Sequence, residues 1–284
     1  MTKMAASAAP VGVAPQFIHP DWPAPQTVGS VQTTRTGGVS IQAYASFNLG
    51  EHVGDAPEAV RRNRALLQCL LPAAPVWLEQ THGAQVVELS ETLRLADAPP
   101  HADAAVCRVP GLACAIMTAD CLPVLFCDTQ GEVVAAAHAG WRGLLAGVLE
   151  NTVAAMHLAP ERILAWFGPA IGPNAFVVGE EVRAAFLAQN PAADAAFRQA
   201  APHAAQEGTV KKYYANLYHL ARQRLHALGV TRIFGGDFCT FLDAARFFSW
   251  RRDRQTGRMA SLIWISEDRD GGGTGMPVGS EGCN

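Results

Sequence analysis

Much that would classify this 284-residue chain at a glance is missing from it. No apolar run is long enough to cross a bilayer as a helix. The start carries Lys3 among small residues but no apolar h-region, so no secretory leader is expected. Basic and acidic residues nearly cancel, 22 against 25, for a net charge of −3; that balance gives no reason to expect a nucleic-acid partner, and none at a membrane. Seven cysteines are an odd number without a paired framework, which fits a reducing cytoplasm rather than a secreted scaffold. No Walker loop, GxGxxG element or HExxH helix occurs. The H-x-E…P-C-x-x-C signature of zinc nucleobase deaminases is absent too, so any deaminase chemistry must use another scaffold. Internal repeats and a dividing linker are also lacking, which leaves one domain as the expectation.

What is present reads as a mixed α/β domain. The apolar fraction is 49% and the charged fraction 17%, enough for a sizeable core. Short apolar runs bounded by turn residues predict strands at 28–34, 76–80, 85–89, 102–106, 112–117, 122–127, 133–137, 163–167 and 232–234. A hairpin is expected from strands 247–251 and 259–265. Helical spacing predicts helices at 144–158, 180–189 and 217–228, the last capped by Asn216 and stopped by Gly229. Another helix should run to about residue 71, with Asp55 as N-cap and Glu58 completing a capping box. Residues 190–208 are weakly patterned, a surface helix or loop. Residues 1–25 are expected to form a flexible extension, 26–266 the catalytic domain, and 267–284 a disordered Gly-rich tail.

The chain is organised around residues 112–143. Two strand-type runs flank Thr118-Ala119-Asp120-Cys121, and a third ends at His138, just before Gly140-Trp141-Arg142-Gly143. A carboxylate, a thiol and an imidazole at strand ends are poor packing groups but well placed for a site. Thr81-His82-Gly83 ends the 76–80 run in the same abrupt way. His82, Cys121 and His138 together make a candidate zinc site, three protein ligands that leave a fourth position open. The bland alternatives are a buried, inert cysteine and two satisfied strand-end histidines. Small neighbours around both imidazoles, and Asp120 beside the thiol, favour the site. Arg35, Arg61, Arg62 and Arg142 are candidate anion contacts against the alternative of a solvated face. Arg142 is the best placed, at an expected helix start. His52 and His219 stay undecided, and the other histidines read as structural or solvated.

These residues carry a resemblance. Ser46-Phe47-Asn48-Leu49, His52-Val53-Gly54-Asp55, Leu78-Glu79-Gln80-Thr81-His82-Gly83, Thr118-Ala119-Asp120-Cys121-Leu122-Pro123 and Ala137-His138-Ala139-Gly140-Trp141-Arg142-Gly143 resemble the YfiH/laccase-domain family. Gly168-Pro169-Ala170-Ile171-Gly172 and Phe248-Ser249-Trp250-Arg251-Arg252 add to the match, which covers about residues 26–265. The resemblance implies a single α/β sandwich and one zinc per chain on His82, Cys121 and His138. It implies a purine nucleoside phosphorylase acting on adenosine, inosine or methylthioadenosine with phosphate, with adenosine deaminase activity besides. Polyphenol oxidation and the editing of a peptidoglycan precursor are also attached to the family. A multicopper oxidase needs a blue-copper site plus a three-copper cluster, about ten His ligands. The chain has nine His in all, so copper is disfavoured. On this reading His82, Cys121, His138 and Asp120 form the catalytic group, and Asp120 carries a proton or orients a ligand. Asn48 and Arg62 contact nucleoside and anion, alongside Arg142, and the enzyme works as a monomer. A hydrolase with Cys121 as nucleophile stays open as a different class.

Overall fold

Six strands are buried at every residue: Ala104–Cys107, Leu112–Thr118, Leu122–Asp128, Val134–Ala139, Ile163–Phe167 and Met259–Ile265. A strand with no solvent face needs a packed layer on each side. The computed structural model, which describes residues 14–201 and 211–267, shows those layers. In chain order the elements are β1 Phe17–Ile18, β2 Val28–Thr33, α1 Pro57–Leu70, β3 Ala74–Val76 and β4 Val86–Glu88. Next come α2 Glu91–Arg94, β5 Ala104–Cys107, β6 Leu112–Thr118, β7 Leu122–Asp128 and β8 Val134–Ala139. They are followed by α3 Trp141–Ala146, α4 Val148–Met156, β9 Ile163–Phe167, β10 Val177–Gly179 and α5 Glu180–Gln189. The last are β11 Phe197–Gln199, β12 Lys212–Ala215, α6 Leu217–Ala227, β13 Arg232–Gly235, α7 Trp250–Asp253 and β14 Met259–Ile265.

A five-stranded sheet, β1-β2-β14-β6-β3, packs on a six-stranded one, β13-β9-β7-β8-β5-β4. Side-chain alternation sorts the core into layers. In β7, Leu125 and Cys127 join Ile116, Val134 and Ile263 between the sheets. Val124 and Phe126 point the other way, onto Leu149, Val153 and Leu220 of α4 and α6. In β14, Leu262 and Trp264 face outward to Leu67 of α1, with Phe47 and Leu49 beside it. The result is the mixed α/β sandwich expected from the sequence.

Several local expectations are corrected. Helix 144–158 is two helices, broken at Gly147 with φ +90°. Residues 247–251 are not a strand: Phe247 and Phe248 are buried in a loop, and Trp250 opens α7. The capping box does not form. Ala56 is the N-cap of α1, Asp55 accepts from Ser40 and Asn48, and Glu58 pairs with Arg61. A third, three-stranded sheet, β10-β12-β11, was not expected. Residues 17–18 pair with β2, so the end of the expected extension is tied to the sheet. The expected mobility of residues 1–13 and the disorder of 268–284 lie outside the described residues, as does part of 190–208.

The break at Gly147 gives a test by sign. In a continuous helix, Gly147→Ala would stabilise by about 0.5–1 kcal/mol. At φ +90° it should instead destabilise, by about 1–2 kcal/mol, because a Cβ is strained in the left-handed region. Denaturant unfolding of the two proteins reads the sign directly.

Candidate metal centre

Strand pairing places the site. β7 and β8 are antiparallel with Pro123 opposite His138, so Cys121, just before β7, sits beside the end of β8. β8 pairs on its other side with β5, and β5 with β4. The turn leading into β4 thereby brings His82 to the same sheet end. The ligand atoms of His82, Cys121 and His138 all lie within 4.8 Å of one another. The imidazole rings meet edge-on, centroids 4.7 Å apart. His138 is buried, Cys121 half-buried and His82 exposed, so the cluster opens toward solvent on one side.

Asp103, which sequence reasoning did not single out, holds the cluster together. Its Oδ1 accepts from His138 Nδ1 at 2.8 Å and from the His82 backbone N–H at 2.9 Å. Its Oδ2 accepts from Gly83 N at 2.7 Å and from the backbone and hydroxyl of Thr81, both at 3.0 Å. The first bond commits His138 Nδ1 and leaves Nε2 for the cluster, the usual support for a metal-bound histidine. The others set the tight turn in which His82 takes φ +61°. No motif marks Asp103. Its one signal is positional: it precedes Ala104, which pairs with Ala137, so it arrives opposite His138.

The electrostatics suit a cation. Burial pushes the Asp103 carboxyl up, but the bonds from His138, Gly83 and Thr81 outweigh it and bring the pKa down to about 2. Burial likewise raises the Cys121 thiol, yet His138 and His82 together lower it to about 6. Burial opposes charge on His138, while Cys121 and Asp103 raise it to about 9. Two imidazoles with a thiol already biased to thiolate form a soft donor set that fits zinc. The cluster is also crowded as a site requires: a Cβ on Gly140 would lie 2.8 Å from Cys121 Sγ and 3.5 Å from His82 Cδ2.

The cluster forms one wall of a cavity of about 410 Å³. Arg142, Arg251 and Arg258 line it with His52 and Asp120; Trp141, Ile171, Phe176, Leu217 and Trp250 supply an apolar side. Asp120, at φ +93°, accepts from Thr240 Oγ1 and from the Arg251 backbone N–H, both at 2.6 Å. Those bonds give it an orienting place, pinning the segment that carries Arg251 to the cavity rim. Two expected substrate contacts are elsewhere. Arg62 lies exposed on α1, off the cavity wall. Asn48 is fully buried, its amide spent on Gly50, Asp55 and the Arg258 backbone. Arg35 binds the Ala45 and Ala244 carbonyls, and Arg61 pairs with Glu58.

Residues 29–266 match the family model described as multi-copper polyphenol oxidoreductase laccase. The chain belongs to that laccase-domain family. Within it, the chain is 54% identical over 252 residues to the purine nucleoside phosphorylase YfiH of Escherichia coli, covering 88% of this chain and 99% of that one. It is 51% identical to a purine nucleoside phosphorylase of Haemophilus influenzae, with the same coverage. Among solved structures, a Neisseria meningitidis protein of the DUF152 family superposes with a TM-score of 0.81 at 51% identity, covering 88% and 99% of the two chains. YlmD from Geobacillus stearothermophilus follows the same fold with a TM-score of 0.77 at 31% identity, covering 92% and 98%. Among the described residues of this laccase-domain chain, His82, Cys121 and His138 are the one group of three or more His, Cys, Asp or Glu placed to share an ion.

Asp103→Asn tests the support role. Losing the charge on the His138 side should weaken metal affinity by about 10–100-fold, read by chelator competition. The folded pKa near 2 lies below the unfolded value, so the ionised carboxylate stabilises the fold above about pH 4. That contribution is lost as pH falls from about 4 toward 2. Acid unfolding of wild type should therefore show a component in that window that Asp103→Asn lacks.

Proposed function

We propose that the protein is a zinc-dependent purine nucleoside phosphorylase. The observation that carries this is one cavity joining a His₂Cys cluster, three arginines and an aromatic, apolar wall. The names of the E. coli and H. influenzae relatives support the same activity. In the reaction, a phosphate oxygen bonds to C1′ of the nucleoside as the C1′–N9 bond breaks. The bonding pair leaves with the base, which takes up a proton, and the products are free base and ribose 1-phosphate. Adenosine and inosine fit the class, and methylthioadenosine differs only at the 5′ position.

The residues divide the work. Trp141, Phe176, Leu217 and Trp250 offer the flat apolar surface that a purine needs. Arginines on the cavity wall hold the negative charge on phosphate and the charge developing on the base, and preorganised cations of that kind lower the barrier. Zinc held by His82, Cys121 and His138 would supply additional Lewis-acid positive charge. Asp103 keeps the His138 ring oriented, and Asp120 keeps the Arg251 segment in place. A multicopper cycle is the poorer reading, because it calls for about ten His ligands and one His₂Cys group is what the described residues assemble.

One observation favours a second reading. Cys121, His138 and Asp103 lie in the order thiolate, imidazole, carboxylate, which is also the order of a cysteine hydrolase. Such an enzyme would attack an acyl group, as in a cell-wall precursor.

Two measurements separate the readings. With adenosine, the phosphorylase forms adenine only when phosphate is present; inosine formed without phosphate marks deamination. Cys121 as a zinc ligand should resist iodoacetamide in zinc-loaded protein and become reactive on chelation. Rapid labelling of Cys121 with zinc bound, together with an acyl adduct on a precursor, would establish the hydrolase instead.

A further inference from the structure

The sequence motif around Asn48 has a structural job that the substrate-contact reading does not explain. Asn48 is 0% exposed. Its Oδ1 accepts from the Arg258 backbone N–H at 2.8 Å and from Gly50 N at 2.9 Å. Its Nδ2 donates to Asp55 Oδ2 at 2.9 Å, and its carbonyl accepts from Asn63 Nδ2 at 2.9 Å. Leu49 N–H closes the frame on the Arg258 carbonyl at 3.1 Å. The segments 46–50 and 55–63 thus form a buried polar clamp around the backbone of one residue, Arg258, which heads β14. Asn48, Asp55 and Asn63 make that frame rigid, because each amide or carboxylate is bonded at both ends.

Arg258 is one of three arginines on the cavity wall. It lines the cavity, half-buried, within electrostatic reach of Cys121 and Asp120. Nine other arginines pair with carboxylates at 4.0 Å or less, but Arg258 has no such ion pair among the described residues. One of its terminal nitrogens, Nη1, binds the Thr256 and Gly257 carbonyls at 3.2 and 3.0 Å. Nε and Nη2 carry no hydrogen bond among the described residues. A fixed guanidinium with free donors, beside the cluster and without a direct ion pair among the described residues, is poised to take an oxyanion, since the planar fork matches two oxygens at once. Arg251, its Nη1 on the Val177 carbonyl at 2.7 Å, and Arg142 also line the cavity without ion pairs. The one carboxylate on the wall, Asp120, already has both oxygens bonded.

We propose that Arg258, its backbone held by Asn48, is the principal anchor of the attacking inorganic phosphate. This rests on the phosphorylase reading for its role in turnover, but the anion site itself does not. It also moves the anion role away from Arg62, which is exposed on α1.

The test uses zinc-loaded full-length protein and inorganic phosphate as the probe. Calorimetry without nucleoside measures phosphate binding; steady-state assays measure KM for phosphate and for adenosine separately. Arg258→Gln should weaken phosphate binding and raise its KM by about 10–100-fold, the worth of a hydrogen-bonded charge contact, with adenosine KM changed less than about threefold. Arg258→Lys should recover part of the loss by keeping the charge without the fork, and Arg62→Gln should match wild type. Zinc content and Tm report whether Arg258→Gln folds; if it does not, the Arg258→Lys phosphate shift decides. Phosphate binding that Arg258 variants lose, in a protein without phosphorolysis, upholds the anion site and overturns the phosphorylase reading. Wild type that fails to bind phosphate, or an Arg258 variant with unchanged phosphate KM and affinity, overturns the inference.

Discussion

Five hydrogen bonds converge on the Asp103 carboxylate, and the site depends on them. A charged group with no solvent exposure costs several kcal/mol unless its lone pairs are satisfied. Here the compensation is functional, because each donor belongs to the turn 81–83 or to His138. The carboxylate stabilises the one arrangement in which both imidazoles reach Cys121. The backbone adds a second tie, His138 N–H to the Asp103 carbonyl at 2.7 Å. Remove the charge and neither the His138 tautomer nor the His82 turn is fixed.

The sandwich supplies the rigidity behind this arrangement. The central strands are buried on both faces, so their ends are held by packing on two sides. That edge also carries local strain: His82 and Asp120, both non-glycine, adopt positive φ at the cluster. Strained backbone of this kind persists where surrounding structure over-determines it. Asp103 does so for His82, while Thr240 and the Arg251 backbone do so for Asp120. Two carboxylates of the same chemical type thus have one task each, the first holding ligands and the second holding a cavity rim.

The long apolar strands and the three cluster residues were legible in the sequence because both signals are local. A fully apolar run such as 122–127 reads as a buried strand, and a histidine ending a run between small residues is conspicuous. What was not legible depends on pairing across the sheet. Asp103 gains its meaning from standing opposite His138, 35 positions away. Arg258 and Asn48 are 210 positions apart, and Asn48 was assigned to substrate because its motif is visible while its partner is not. Arg62 is visible as an anion candidate and Arg258 is not for a similar reason: helix arginines stand out in a sequence, whereas a strand-heading arginine in a polar loop does not. Phe247 and Phe248 mimic a strand because burial, rather than sheet pairing, selects their type.

The central claim is that one His₂Cys centre, rather than a set of copper sites, defines the chemistry of this chain. Metal analysis combined with X-ray absorption at the zinc edge tests it most directly. The account predicts one zinc per chain, with two nitrogen ligands at about 2.0–2.1 Å and one sulfur at about 2.3 Å. The sulfur shell should be absent from Cys121→Ala. Several coppers per chain, or bound zinc without a sulfur neighbour, would contradict it.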